Sequence, residues 1–240
     1  PCMSLFTNSS CGIFPTLSAN YPIANYPLAA LCLDYKMTLG RFGIESSLYN
    51  GKGYNGWSKG KHPFTFNPRK DGVFSITEIN YQTEYGKCFG GFSLHTNGDM
   101  PDVAGEWKTR EREKKVSPKM TFAWWGYAER KLWSRVRQEV NLLVQYTRTS
   151  SVFSECRNYM GAGVTWIHAP GGQKRHEAGL FLSVAQFKSC NEVAGEVTYR
   201  YSLNRDTYIQ PAIHLIKNGG GLHEVFLIRM GYVLNGGRVR

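Results

Sequence analysis

The 240-residue sequence contains no uninterrupted run of the roughly 18 apolar residues that a membrane-crossing helix needs, which excludes a helical membrane bundle. It is also poor in acid. Eighteen Asp and Glu stand against 29 Lys and Arg, a net charge of +11, which suggests an anionic partner: nucleic acid, anionic lipid or lipopolysaccharide, or an anionic solute. No nucleic-acid motif accompanies that charge and the basic residues are scattered, so nucleic acid is not expected. The six cysteines (Cys2, Cys11, Cys32, Cys88, Cys156, Cys190) lack CxxC spacing, so a zinc site is not expected either. The chain opens Pro1-Cys2-Met3 without an initiator Met, leaving open a removed leader or a piece of a longer protein.

Hydrophobic residues make up 42% and aromatics 14%, too apolar for a disordered chain. The mean hydropathy is nevertheless −0.37, as alternating apolar and polar residues would give. That alternation dominates the C-terminal half. Val193, Val197, Tyr199, Tyr201 and Leu203 interleave with Glu196, Thr198, Arg200 and Ser202. Ile209, Pro211, Ile213 and Leu215 interleave with Gln210, Ala212 and His214, and Phe226, Ile228, Met230, Tyr232 and Leu234 oppose Arg229. Val140, Leu142, Val144 and Tyr146 oppose Glu139, Asn141, Gln145 and Thr147. A strand places such sets on opposite faces.

Extended over the chain, this rhythm predicts about twelve strands: 2–7, 28–37, 40–50, 72–83, 86–97, 119–132, 138–148, 157–168, 176–188, 191–203, 207–217 and 223–234. Most are longer than the usual strand of about 5–6 residues and near the length of a tilted membrane strand. Tight links are expected at 38–39, 84–85, 133–137 and 204–206, and long ones at 8–27, 51–71 and 98–118. Strict up-and-down order puts the two sets on opposite rims, an asymmetry of outer-membrane barrels.

Several segments resemble a known family. Leu5-Phe6-Thr7-Asn8-Ser9-Ser10-Cys11-Gly12 followed by Asn25-Tyr26-Pro27-Leu28-Ala29-Ala30-Leu31 is similar to a "F-x-N-S-S-F-G … Y-P-x-S-A-L" stretch of OprB-type carbohydrate-selective porins. Residues 71–82 with Gly86-Lys87-Cys88-Phe89-Gly90-Gly91 resemble that family's "G-x-x-x-I-x-E-x-x-Y … G-x-Y-K-x-G" hairpin. Tyr199-Arg200-Tyr201, Ile209-Gln210-Pro211 and Lys217-Asn218-Gly219-Gly220 resemble its ending. The resemblance implies a transmembrane antiparallel up-and-down β-barrel of the Gram-negative outer membrane. Residues 1–240 would be a single porin domain lacking N-terminal strands, with about twelve of sixteen strands present. Its work would be passive passage of mono- or disaccharides, with no enzymatic step and no cofactor. The chain departs from the family by running on through Asn235–Arg240 and by its cysteine count.

Such a pore would use the wet faces of its strands. The alternation assigns Asp34, Lys36, Glu45, Glu139, Gln145, Glu196, Arg200, Gln210, His214 and Arg229 to the lumen. Arg200 and Arg229 are the foremost donors to sugar hydroxyls, because the guanidinium fork makes paired hydrogen bonds. Family loops fold inward, so Tyr54, Trp57 and His62 are candidates for a constriction. The run Lys108–Lys115 reads as a solvated loop or a contact for lipopolysaccharide phosphates. Trp124, Trp125, Trp133, Trp166, Tyr127, Tyr199 and Tyr232 are expected as interfacial girdles. Pro211, inside a strand, predicts a bulge or a gap in the ladder. Cys156 and Cys190 fall nearly opposite if the hairpin turns near Gly172, leaving a disulfide and two free thiols both open. Expected partners are sugar solutes, outer-membrane lipid and lipopolysaccharide, with homo-oligomerisation open. The competing readings are a soluble β-sandwich carbohydrate-binding module and an outer-membrane barrel hydrolase.

Overall fold

A computed structural model describes residues 2–21, 29–53, 64–96, 120–150, 155–171, 174–204 and 206–232. Eleven strands form one sheet: β1 (Cys32–Leu39), β2 (Phe42–Asn50), β3 (Val73–Thr83), β4 (Gly86–His95), β5 (Thr121–Arg135), β6 (Gln138–Thr149), β7 (Cys156–Gly171), β8 (Lys174–Phe187), β9 (Asn191–Ser202), β10 (Thr207–Asn218) and β11 (Gly221–Tyr232). Spatial order follows chain order, and every neighbouring pair is antiparallel. β1 and β11 each have one partner, so the described sheet is not closed. The single sheet lacks the second facing layer that a β-sandwich requires among its described residues.

The predicted strand 2–7 is absent. Cys2–Leu5 instead forms a single 3₁₀ turn, followed by one-turn helices at Ser9–Gly12 and Pro15–Ser18. Leu5, Phe6, Cys11, Phe14, Thr16 and Tyr21 along this segment are buried. Their partners lie on one face of the sheet, so the segment lines the wall instead of belonging to it.

One rim carries only short connections, at 40–41, 84–85, 136–137, 172–173 and 203–206. The gap between the predicted strands 157–168 and 176–188 shrinks because β7 and β8 extend to Gly171 and Lys174. The opposite rim carries the long links 51–72 and 96–120, then progressively shorter ones at 150–155, 188–190 and 219–220. The rim asymmetry therefore belongs to the first half of the sheet.

The outer face is apolar. Met160, Leu180, Leu182, Val197, Ile213, Leu215, Phe226, Ile228 and Met230 are all exposed on it. Trp124 with Phe122 and Phe92 lies toward the long-loop rim, and Trp166, Trp133, Tyr199 and Tyr232 lie toward the short-turn rim. Trp125 and Tyr127 depart from the expected girdle: they point inward and are buried, Trp125 over Gly91 and Tyr127 stacked on Phe89 at 4.4 Å. Two aromatics in a row in β5 must face opposite sides, so only Trp124 is outward.

Pro211 produces no bulge. β9 and β10 keep one register through Ile209↔Tyr201 and Ala212↔Thr198, and the ladder is interrupted between those pairs. Thr198 Oγ1 donates to the Pro211 carbonyl at 3.2 Å across the gap.

Candidate functional site

Inward-facing residues divide into three belts from the short-turn rim upward. The lowest is ionic. Arg200 on β9 donates through Nη1 to Glu177 of β8 at 3.2 Å, through Nε to Gln210 Oε1 of β10 at 3.1 Å, and through Nη2 to the Ser4 carbonyl at 2.7 Å. Its guanidinium also lies 4.8 Å from the Tyr208 ring centre. Arg175 shares Glu177, and Lys131 pairs with Glu139 at 3.1 Å. Gln210 donates to the Leu5 carbonyl and to Thr198 Oγ1 at 2.8 Å. Anchoring Ser4 and Leu5 by their carbonyls fixes the start of the inner segment.

The middle belt seats Phe6. It packs on Phe181 at a ring separation of 5.1 Å, with Leu143, Tyr127 and Cys11 around it. The space comes from three glycines on β7 and β8. A Cβ at Gly163 or Gly179 would sit 3.2 or 2.8 Å from the Phe6 ring, and one at Gly161 would meet Phe181 at 2.7 Å. Beside this apolar seat, Glu196 accepts from Thr7 N at 2.7 Å, Thr7 Oγ1 at 2.8 Å and Asn8 N at 2.9 Å. His214 Nε2 meets the same Thr7 hydroxyl at 2.8 Å. A hydroxyl has one proton, and here it is committed to the carboxylate, so Nε2 is the donor to Thr7 Oγ1. Glu196 is thus held by hydrogen bonds, with no Lys or Arg paired to it among the described residues.

The upper belt closes toward the long-loop rim. Phe14 packs with Trp125, Cys156, Tyr159 and Ala185. Asn20 clamps the first residue of β7, donating to the Cys156 carbonyl at 2.6 Å and accepting from Cys156 N at 2.9 Å. Tyr21 packs on Phe74 at 5.0 Å and accepts from Ser93 Oγ at 3.2 Å; its burial pushes the phenol up to about 12.

Of the residues assigned to the lumen from sequence, Gln145, Glu196, Gln210 and His214 are buried on the inner face, and Arg200 and Glu139 face the same side. Four of these, Glu196, Arg200, Gln210 and His214, converge on residues 4–8. Gln145 instead donates to Tyr159 at 2.7 Å. Glu45 stands apart on β2, paired with Lys36 at 3.0 Å, while Ser47 donates to Asp34. Arg229 on β11 lies opposite Gln210 in register.

Cys156 and Cys190 are not joined; both are free thiols. Cys156 pairs with Phe187 and is buried under Phe14, whereas Cys190 is the last residue of the β8–β9 link, against Gly219. Tyr54, Trp57, His62 and the run Lys108–Lys115 lie outside the described residues. So does Gly56-Trp57-Ser58-Lys59-Gly60, which has the spacing of a nucleophile elbow. Sequence reasoning missed the docked segment itself and its apolar seat on Leu143 and Phe181. The spacing Gly161, Gly163, Gly179 was the available signal, because inward glycines on adjacent strands mark a place where another chain approaches closely.

The fold is an all-β, antiparallel, up-and-down sheet similar to a porin barrel. Among solved structures it is similar to that of Pseudomonas putida OprB at high pH, with a TM-score of 0.65 and 13% identity, covering 87% of this chain and 60% of that one. The chain therefore spans about 60% of the length of that protein. No protein-family profile matches the sequence, and no curated protein matches it.

Proposed function

We propose that this chain forms the larger part of the wall of a carbohydrate-selective, OprB-type porin of the Gram-negative outer membrane, through which mono- or disaccharides diffuse passively. The observation that carries the reading is the inversion of the sheet. Its solvent-accessible outer face is a band of Val, Leu, Ile and Met edged by aromatics, while Glu, Gln, Thr and His are buried on the inner face. Only a hydrocarbon surround makes that arrangement favourable. The similarity to OprB adds support, and so do the short motif likenesses from Leu5 to Gly220.

In this reading residues 2–21 narrow the lumen, and the inner wall does the selecting. Sugars carry hydroxyls that need both donors and acceptors, and the ionic belt offers cation-held carboxylates with spare lone pairs. Such acceptors bind hydroxyls without retaining a free cation, which suits conduction. Further strands between β11 and β1 would complete the wall.

The test is flux. The chain refolded into liposomes, with a longer form of the protein as comparison, is expected to admit glucose and maltose faster than a neutral polymer of similar radius. It is also expected to run anomalously on an unheated gel. A chain that stays folded without detergent and passes no sugar in either form would overturn the reading.

A further inference from the structure

At the long-loop rim, the outward parity of β6, β7 and β8 ends in a polar row. Arg148, Asn158 and Gln186 stand side by side in register across these strands, with Trp124 of β5 next to Arg148. Asn158 Nδ2 donates to Gln186 Oε1 at 2.6 Å, which leaves the Gln186 amide hydrogens for another acceptor. Arg148 is exposed and makes no hydrogen bond or ion pair among the described residues. The Trp124 and Tyr146 rings beside it lie 5.2 Å apart, an aromatic pair suited to the headgroup level of a bilayer.

Beneath this row, toward the middle of the wall, lies an apolar hollow of about 760 Å³. Gly126 and Ala128 of β5, Val144 of β6, Met160 and Ala162 of β7 and Leu182 of β8 line it. They belong to the next two rows of the outer face, about 7 and 13 Å from Arg148 along the strands. A Cβ at Gly126 would meet nothing within 4 Å. In hydrocarbon, such a hollow forfeits dispersion contacts unless something flexible fills it, and an acyl chain does so. Every lipid tail is as apolar as the wall, so the hollow alone selects none of them. Selection falls to the polar row.

The charge of that corner is positive. Its cations among the described residues are Arg148, Arg157 and Lys188. Its acids are Glu155, whose carbonyl accepts from Lys188 N at 2.7 Å, and Glu192, which lies opposite Ala185 on the inner parity. Three cations thus stand against two carboxylates, one of them on the lumen side. Farther along the rim, Lys217 of β10 and Glu224 of β11 add one charge of each sign. A phosphate on a tail-bearing headgroup fits: the Arg148 fork makes paired charge-assisted hydrogen bonds, and the Gln186 amide supplies further donors.

We propose that this corner of the outer face binds one lipopolysaccharide molecule through its lipid A, with a phosphate on Arg148 and Lys188 and an acyl chain in the hollow. The choice of leaflet rests on the outer-membrane reading above, in which the long-loop rim is external; the hollow and its charged head do not. The site is separate from the run Lys108–Lys115.

The test mixes the full chain, folded in detergent, with hexa-acyl lipid A, re-isolates it by gel filtration and reads retained lipid by native mass spectrometry. One lipid A per chain is expected. Arg148→Gln should weaken retention on the order of fivefold, the effect of one cation at an anionic surface. Dephosphorylated lipid A should lose as much with the wild type. Gly126→Leu puts its side chain into open space, so it should keep the folded gel band while displacing the acyl chain and weakening retention. Arg135→Gln, at the opposite rim, should change nothing. No retained lipid A, full retention by Arg148→Gln, equal retention of phosphatidylglycerol, or a dimer of the chain that Gly126→Leu dissociates would overturn the proposal. Glucose flux without Arg148-dependent retention removes the lipid site alone. Arg148-dependent retention without flux removes the transport reading alone.

Discussion

Along β9, Val193, Val197 and Tyr199 are 44%, 56% and 39% exposed, while Ala194, Glu196 and Thr198 between them are 5%, 1% and 2% exposed. One backbone thus presents two surfaces with opposite requirements. The outer one repeats a simple rule, apolar at every second position, and each residue acts almost independently of its neighbours. The inner one has no such rule. Glu196, Arg200 and Gln210 matter through particular atoms of Ser4, Leu5, Thr7 and Asn8, and Phe181 matters because glycines at 161, 163 and 179 let Phe6 reach it. Tolerance to substitution should therefore differ sharply between the faces.

The largest contrast is expected at Phe6. Phe6→Ala removes a buried ring from a seat built around it and should cost about 3–5 kcal/mol of docking free energy, read as protease sensitivity of residues 2–21 with the sheet intact. A protected segment in the variant would erase the distinction between wall and lining. Next comes the outer band. Ile213→Arg should cost about 2–4 kcal/mol in a lipid-based urea titration, because a cation would face hydrocarbon. A near-zero cost would mean that the outer face does not meet lipid.

The third effect is a pH dependence. The Tyr21 phenol is raised by burial to about 12, above its unfolded value near 10. The neutral ring is the form the folded state favours, so its contribution is complete below pH 10 and is lost as pH rises through 12. Tyr21 should contribute about 3 kcal/mol to an alkaline release of the segment, and Tyr21→Phe should flatten the profile between those limits. Fourth, Glu196→Gln keeps the shape but loses charge assistance to three donors, which should loosen residues 7–8 by about 1–2 kcal/mol in amide exchange. The smallest effect belongs to Lys36→Ala, which should leave the urea midpoint of the refolded sheet unmoved, because its pair with Glu45 is exposed to solvent.

These two faces were unequally legible in the sequence. The outer face was readable because period 2 is a property of the strand itself: Val140, Leu142, Val144 and Tyr146 need no knowledge of what lies elsewhere. The same period assigned Gln145, Glu196, Gln210 and His214 to the inner side, where they lie buried. It could not say what covers them. Cys2–Thr7 looked like a strand because it is short and mostly apolar, but those apolar groups serve a lining that a local pattern does not encode. Trp125 and Tyr127 depart from the girdle for the opposite reason: their odd positions in β5 place them inward whatever their aromatic type. Of the two states left open for Cys156 and Cys190, register decides for free thiols: Cys156 aligns with Phe187, and Cys190 closes the link that follows.

The strictly sequential strand order bears on assembly. Each strand bonds to the hairpin neighbour made just before it, so the wall can grow one hairpin at a time with little loop-closure entropy at any step. Residues 2–21 are the exception, because their seat is composed of β3 through β10. The earliest stretch of this sequence is consequently among the last to find its place.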